Sequence, residues 1–142
     1  MRIADVLRNK GAEVATIAPD ATVAELLDGL SGHNIGAMVV VDAGAVAGIV
    51  SERDVVRKLH EHGPDVLGLS VAAIMTTVIA TCGPESSVND LTELMTEKRV
   101  RHIPVLVDGR LAGIVSIGDV VKTRMDELKT EQEQLQAYIT QG

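Results

Sequence analysis

The chain has no phenylalanine and no tryptophan, and one tyrosine, Tyr138. Any flat ligand must therefore lie between aliphatic side chains, and binding of single-stranded nucleic acid by aromatic stacking has no basis here. Cysteine is nearly absent too. Cys82 stands alone, so no internal disulfide forms, and no Cys/His spacing matches a zinc site; its plain role is a small buried hydrophobe at a strand end. Long apolar runs are also missing. The longest uncharged one, Ile35 to Val41, is far too short to cross a bilayer. Arg2 and Asp5 interrupt the beginning, where a signal peptide would be apolar. A soluble cytoplasmic protein without membrane contact is expected. Positive charge is short as well, with 13 Lys and Arg against 20 Asp and Glu and a net charge of −7. That balance opposes a nucleic-acid partner. No Gly-x-Ser-x-Gly, P-loop or Cys/His pair is present, and His60-Glu61-His62 lacks a third ligand. Neither catalysis nor metal binding is expected.

What the chain does have is aliphatic material, 46% hydrophobic residues in 142, enough for one domain-sized core. Residues 2–10 read as a short helix with Ile3, Val6 and Leu7 on one side and Gly11 as its C-cap. Val14 to Ile17 is a short strand. Thr22-Val-Ala-Glu25 is a capping box, followed by Val23, Leu26, Leu27 and Leu30 at helical spacing. Ala37 to Val41 and Val46 to Val50 form a hairpin around Asp42-Ala-Gly44, and Ser51 opens a helix to about Glu61.

The chain then repeats itself. Ala80 onward matches Ala15 onward without a gap: Thr16/Thr81, Pro19/Pro84, Val23/Val88, Leu26/Leu91, Val40/Val105 and Gly44/Gly109 keep one spacing. Over 15–56 roughly a third of positions are identical, which means duplication. Only the opening helix departs, with Val71 to Met75 answering Ile3 to Leu7 in a register shifted by three. The strongest match is Gly48-Ile-Val-Ser51-Glu-Arg53-Asp54-Val-Val56 against Gly113-Ile-Val-Ser116-Ile-Gly-Asp119-Val-Val121. Each ends a hairpin and enters a helix through a serine. Read alone, Ser-x-x-Asp at a helix start is an adequate cap, with the acid favoured by the helix dipole.

Two tandem β-α-β-β-α units, each ending Gly-hydrophobic-Val-Ser-x-x-Asp, resemble a pair of cystathionine-β-synthase (CBS) domains, a Bateman module. The resemblance covers about residues 2–125. It implies an α/β (α+β) fold of two CBS repeats packed sheet to sheet about a pseudo-twofold axis. Repeat one is expected over 2–62, a linker over 63–70, repeat two over 71–125 and a helical tail over 126–142. It further implies two clefts for an adenosine-containing ligand such as AMP, ATP, NAD or S-adenosylmethionine, bound as an effector and not as a catalytic cofactor, and a homodimer. Backbone groups around Thr16, Thr81, Ala37, Met38, Ile103 and Pro104 are implied to meet adenine edges, Pro104 by removing a donor at the start of its strand.

The residues add their own argument. A carboxylate accepts two hydrogen bonds at once and suits the cis hydroxyls of ribose, which points to Asp54 and Asp119. Backbone N–H groups at the helix starts suit phosphate, which points to Ser51 and Ser116. Lys98-Arg99-Val100-Arg101-His102 concentrates positive charge in an acidic chain, whereas the aligned His33-Asn34-Ile35-Gly36-Ala37 is nearly neutral; Arg53 has Gly118 as its counterpart. Arg53, Lys98, Arg101 and His102 are therefore expected to converge on phosphates, with Asp119 and Arg101 as the leading pair and Asp54 second. The expected function is a regulatory sensor of adenine nucleotides acting on a protein target that the sequence does not name. The alternative is a structural or dimerisation module with vestigial clefts. Met125, Leu128, Leu135, Tyr138 and Ile139 in the tail fit a solvated helix and a weak dimer seam equally well.

Overall fold

The sequence duplication has a direct counterpart in space. The structure, a computed structural model, describes residues 1–11, 13–77 and 80–141. The first half supplies α1 (Ile3–Lys10), β1 (Thr16–Ile17), α2 (Val23–His33), β2 (Ala37–Asp42), β3 (Ala45–Ser51) and α3 (Glu52–His62). The second supplies α4 (Val71–Ile74), β4 (Thr76–Thr77), α5 (Val88–Lys98), β5 (His102–Val107), β6 (Arg110–Ser116) and α6 (Ile117–Gln141). A 3-10 helix, Gly63–Gly68, fills most of the expected linker, and its Val66 is buried in a core.

One sheet runs β1-β2-β3-β4, with β1 parallel to β2 and the other pairs antiparallel. The other is the β5-β6 hairpin. Along its edge the isolated bridge Cys82↔Val105 stands where Ile17↔Val40 stands in the first sheet. Both hairpins reverse in two residues at positive φ: Ala43 (50°) and Gly44 (83°), then Asp108 (52°) and Gly109 (76°). That pair of left-handed residues matches the twist of the flanking strands. The sheets meet through β3 and β6.

The opening helices are exchanged. Ile3, Val6 and Leu7 of α1 join Val88, Leu91, Met95, Ile103, Val105, Val115 and Val120 in one core. Val71 and Ile74 of α4 join Val23, Leu26, Leu30, Met38, Val40, Val50 and Val55 in the other. Matching backbone bonds hold them: Ile3 N to Ser86 O (2.8 Å) and Ala4 N to Pro84 O (2.9 Å), against Val71 N to Ala21 O (2.8 Å) and Ala72 N to Pro19 O (2.9 Å). The boundary between repeats is thus one of sequence, while each core draws on both halves. β4 follows the same logic, pairing Thr76 with Ile49 and Thr77 with Gly48.

The caps repeat as well. Thr22 and Ser87 accept from the N–H groups of Glu25 (3.2 Å) and Asp90 (3.0 Å). At the C-termini of α2 and α5, Asn34 and Arg99 take the left-handed conformation. Within α6 only Val120 and Thr123 are buried, Glu127 is half-buried, and every residue from Leu128 through Gln141 is exposed.

Candidate functional site

Two Ser-x-x-Asp turns end the hairpins, and the structure treats them differently. At the first, Ser51 Oγ accepts from Asp54 N (3.4 Å), and Asp54 Oδ2 accepts from Ser51 N (2.9 Å) and Ser51 Oγ (3.2 Å). This is a reciprocal capping box that locks the carboxylate at the start of α3. Its other oxygen, Oδ1, accepts from Thr76 Oγ1 at 3.3 Å. At the second turn the same box forms, Ser116 N to Asp119 Oδ2 (2.8 Å) and Asp119 N to Ser116 Oγ (3.1 Å). Here, however, Lys10 reaches across from α1, its Nζ 2.6 Å from Asp119 Oδ2 and 2.8 Å from the Ile114 carbonyl.

Asp54 lies on the wall of a cleft of about 670 Å³, a size in the range of small-molecule sites. Ser51, Arg53, Asp54 and Arg57 form one side, Lys98, Arg99, Arg101 and His102 the other, with Thr76, Thr77 and Ala80 between them. None of the five cations Arg53, Arg57, Lys98, Arg99 and Arg101 makes an ion pair among the described residues. Only Glu52 and Asp54 oppose them on the lining. In a chain of net charge −7, this is a local inversion of sign, and low-dielectric walls focus such a field on a bound anion. His102 has its pKa held below the usual value near 6.5, chiefly by burial and then by the charges of Lys10 and Arg101, against the pull of Asp119.

The expected site residues divide accordingly. Ser51, Arg53, Asp54, Lys98, Arg101 and His102 come together in this cleft. Ser116 and Asp119 lie off its lining, so Asp119 is paired with Lys10 and not with Arg101, whose carbonyl instead accepts from Ile117 N (2.9 Å). Burial raises the pKa of Asp119, yet the Lys10 and Ser116 hydrogen bonds and the Lys10 charge outweigh it and leave the carboxyl below its ordinary range. Ala37, Met38, Ile103 and Pro104 have buried side chains in β2 and β5, and the Pro104 carbonyl accepts from Cys82 N (3.0 Å). Thr81 is exposed beside Ala80. Thr16 borders a different, open groove of about 740 Å³ between the hairpin ends, lined by Val14, Ala43, Gly44 and Arg110 among others.

Sequence reasoning missed two contacts, Thr76 on Asp54 and Lys10 on Asp119. For Thr76 a signal existed, because it follows Met75, the residue aligned with Leu7. Lys10 is 109 positions from its partner and carried none. Burial pushes the Cys82 thiol up to about 11, in keeping with a packing role. Among the described residues no cluster of His, Cys, Asp and Glu is suited to a metal, and no helix is long and apolar enough to cross a membrane.

Comparison with known proteins agrees with this architecture. A CBS domain protein named mitochondrial from Arabidopsis thaliana, CBSX3, is 40% identical over 149 aligned positions, covering 99% of this chain and 72% of its own. That relative lends nothing to the cytoplasmic expectation. The CBS domain-containing protein YhcV of Bacillus subtilis is 31% identical, with 80% of each chain covered. Among solved structures, the CBS-domain protein ATU1752 from Agrobacterium tumefaciens superposes with a TM-score of 0.84 at 46% identity, covering 87% of this chain and 99% of that one. The CBS pair of protein MJ0100, solved with 5′-methylthioadenosine and S-adenosylmethionine, has the same fold, with a TM-score of 0.79 at 22% identity and coverage of 89% and 98%. The CBS domain sequence model matches residues 3–61 and 71–126, and the chain therefore belongs to the CBS domain family, carrying two such domains in tandem.

Proposed function

We propose that this chain is a regulatory module that binds a phosphate-bearing adenosine ligand in the cleft between Asp54 and the 98–102 segment. The observation that carries this reading is five cations, without ion pairs among the described residues, on a cleft whose lining carries only Glu52 and the capped Asp54 as acids. The Asp54 carboxylate offers paired acceptance to a ribose, and Arg53, Lys98 and Arg101 offer charge-assisted bonds to phosphate. The aliphatic walls at Ile49 and Val100 suit an adenine in a chain without aromatic stacking partners. Support also comes from the MJ0100 pair, which was solved with two adenosine compounds. The charge of the present cleft favours AMP, ATP or NAD over the cationic S-adenosylmethionine. Regulation proceeds by population shift: a ligand that binds one arrangement of the two repeats, or of two chains, more tightly draws the population to it. Two chains pair through α3 and α6, a reading supported by the exposed Val56, Leu59, Ile117 and Val121 on those helices.

Isothermal titration with AMP, ATP, NAD and S-adenosylmethionine tests the proposal. Binding tighter than about millimolar, worth ~4 kcal/mol, and lost in Asp54→Asn is the expected result; no binding by any of the four sinks it. The second reading, a dimerisation module with vestigial clefts, is favoured by the Lys10–Asp119 pair, which satisfies one of the two carboxylates from within the chain. It predicts full dimerisation with no nucleotide bound.

A further inference from the structure

We propose that Lys10 is the built-in counter-ion of the second cleft, so that the chain takes one adenosine ligand and not two. The inference rests on the nucleotide reading of the first cleft. Its basis is an asymmetry in an otherwise duplicated molecule. Both signature carboxylates are fixed by the same serine box, and both signature glycines are covered by the end of an exchanged helix, Gly113 by Leu7 and Gly48 by Met75. Lys10 lies one helical turn beyond Leu7, and that turn carries its ammonium onto the second carboxylate. The residue aligned with Lys10 in the shifted register of the opening helices is Val78, which has no charge to place on Asp54.

The geometry of Lys10 is that of an occupied site. Its Nζ donates to Asp119 Oδ2 and to the Ile114 carbonyl, two acceptors that a hydroxylated ligand would otherwise use. Asp119 Oδ2 also accepts from Ser116 N, leaving a ribose to compete with an ion pair that is two-thirds or more withdrawn from solvent on both sides. Asp54, by contrast, receives only neutral donors, Ser51 and Thr76. The cationic 98–102 stretch lines the Asp54 cleft, on which Asp119 does not lie, so the charge available to a phosphate is gathered at the first carboxylate, while the second is already met by Lys10.

Titration of the wild-type chain, Lys10→Gln, Lys10→Arg and Asp119→Asn with AMP distinguishes the outcomes, with protein held well above the dissociation constant so that the endpoint reads stoichiometry. Expected are one equivalent for wild type and Lys10→Arg, two for Lys10→Gln, and one at unchanged affinity for Asp119→Asn. Two equivalents in wild type, or a loss of binding in Asp119→Asn, overturns the inference even if Lys10→Gln fails to fold. One equivalent in a folded Lys10→Gln does so too. If wild type binds nothing and Lys10→Gln binds one, the counter-ion role stands and the first-cleft reading falls. If neither binds, both fall.

Discussion

Leu7 stands over Gly113 so closely that a Cβ on residue 113 would lie 2.7 Å from its Cδ2. Met75 covers Gly48 in the same manner, with a Cβ there 3.0 Å from its Sδ and only 2.7 Å from the Thr76 carbonyl oxygen. The signature motif opens on glycine because an exchanged helix rests on each strand. Gly113→Ala displaces a flexible leucine, whereas Gly48→Ala must push backbone away and disturb the β3–β4 pairing. Overpacking of this kind costs about 1–3 kcal/mol, and Gly48→Ala is expected at the upper end. Urea unfolding should show lower midpoints at an unchanged slope for both; equal or raised midpoints would contradict the packing.

The first hairpin holds a residue at a disadvantage that the second avoids. Ala43 sits at φ 50° where its counterpart is Asp108 at 52°. Left-handed backbone costs an L-residue with an apolar Cβ roughly 1–2 kcal/mol, less for Asn and Asp and nothing for Gly. Ala43→Gly and Ala43→Asn are expected to raise stability by about 0.5–1 kcal/mol. Thermal unfolding of both variants is the check, and a fall in midpoint for either would mean that the turn is not built this way.

Much of this architecture was legible because duplication exposes it. The gapless match from Ala15 and Ala80 predicted both hairpins, and Thr22, Ser51, Ser87 and Ser116 announced their helices through local hydrogen-bonding chemistry. The charge of 98–102 pointed to residues that the fold does gather on one cleft with Asp54. What the sequence concealed was long-range. The 3.6-residue spacing of Ile3, Val6 and Leu7 says that they are buried, not against what. The shift of three residues in the opening helices was the one trace of their exchange. The partner of Asp119 stayed hidden for the same reason: periodicity and motif spacing carry no information about a lysine 109 positions away.

The cation wall makes binding sensitive to salt and to single neutralisations. Arg101→Ala and Lys98→Ala each remove one unpaired charge from the lining and leave no buried partner stranded, so stability should change by less than about 0.5 kcal/mol. Affinity for ATP is expected to fall by roughly tenfold, equivalent to 1.4 kcal/mol, with a smaller loss for AMP. Raising ionic strength should weaken ATP binding in the wild type more than in either variant. Titrations at two salt concentrations decide it, and equal losses for adenosine and ATP would place the phosphates elsewhere.

His102 gives the fold a pH dependence whose direction follows from its surroundings. Burial, together with the charges of Lys10 and Arg101, holds its folded pKa below the ordinary value near 6.5. In the window between those values the unfolded chain binds a proton that the folded chain refuses, so stability declines as pH falls below about 6.5. The contribution is neutral above it. His102→Gln should flatten this slope below about pH 6.5 in denaturant unfolding followed at several pH values. A bound phosphate favours the protonated ring, so ATP affinity in the wild type should rise over the same acid interval and that rise should vanish in the variant.

Val56 and Val121 occupy the same place in the two repeats, directly after the buried Val55 and Val120. They remain 64% and 52% exposed, and α3 and α6 carry further uncovered apolar groups in Leu59, Ile117 and Met125. A large aliphatic side chain exposed in both copies of a duplicated unit has no core to serve within the chain. Pairing of two chains through these helices would cover it. Val121→Glu adds a desolvated charge at such a contact while leaving the chain's own core untouched. Sedimentation velocity should therefore report a dimer for wild type and a monomer for Val121→Glu, with the far-ultraviolet signal unchanged. Cutting the chain after Glu127 removes, among the described residues, only exposed ones, and should leave the dimer intact. A variant that stays dimeric while the truncated chain falls apart would move the interface from the α3 and α6 surface to the tail, where Leu128, Leu135 and Ile139 provide the seam.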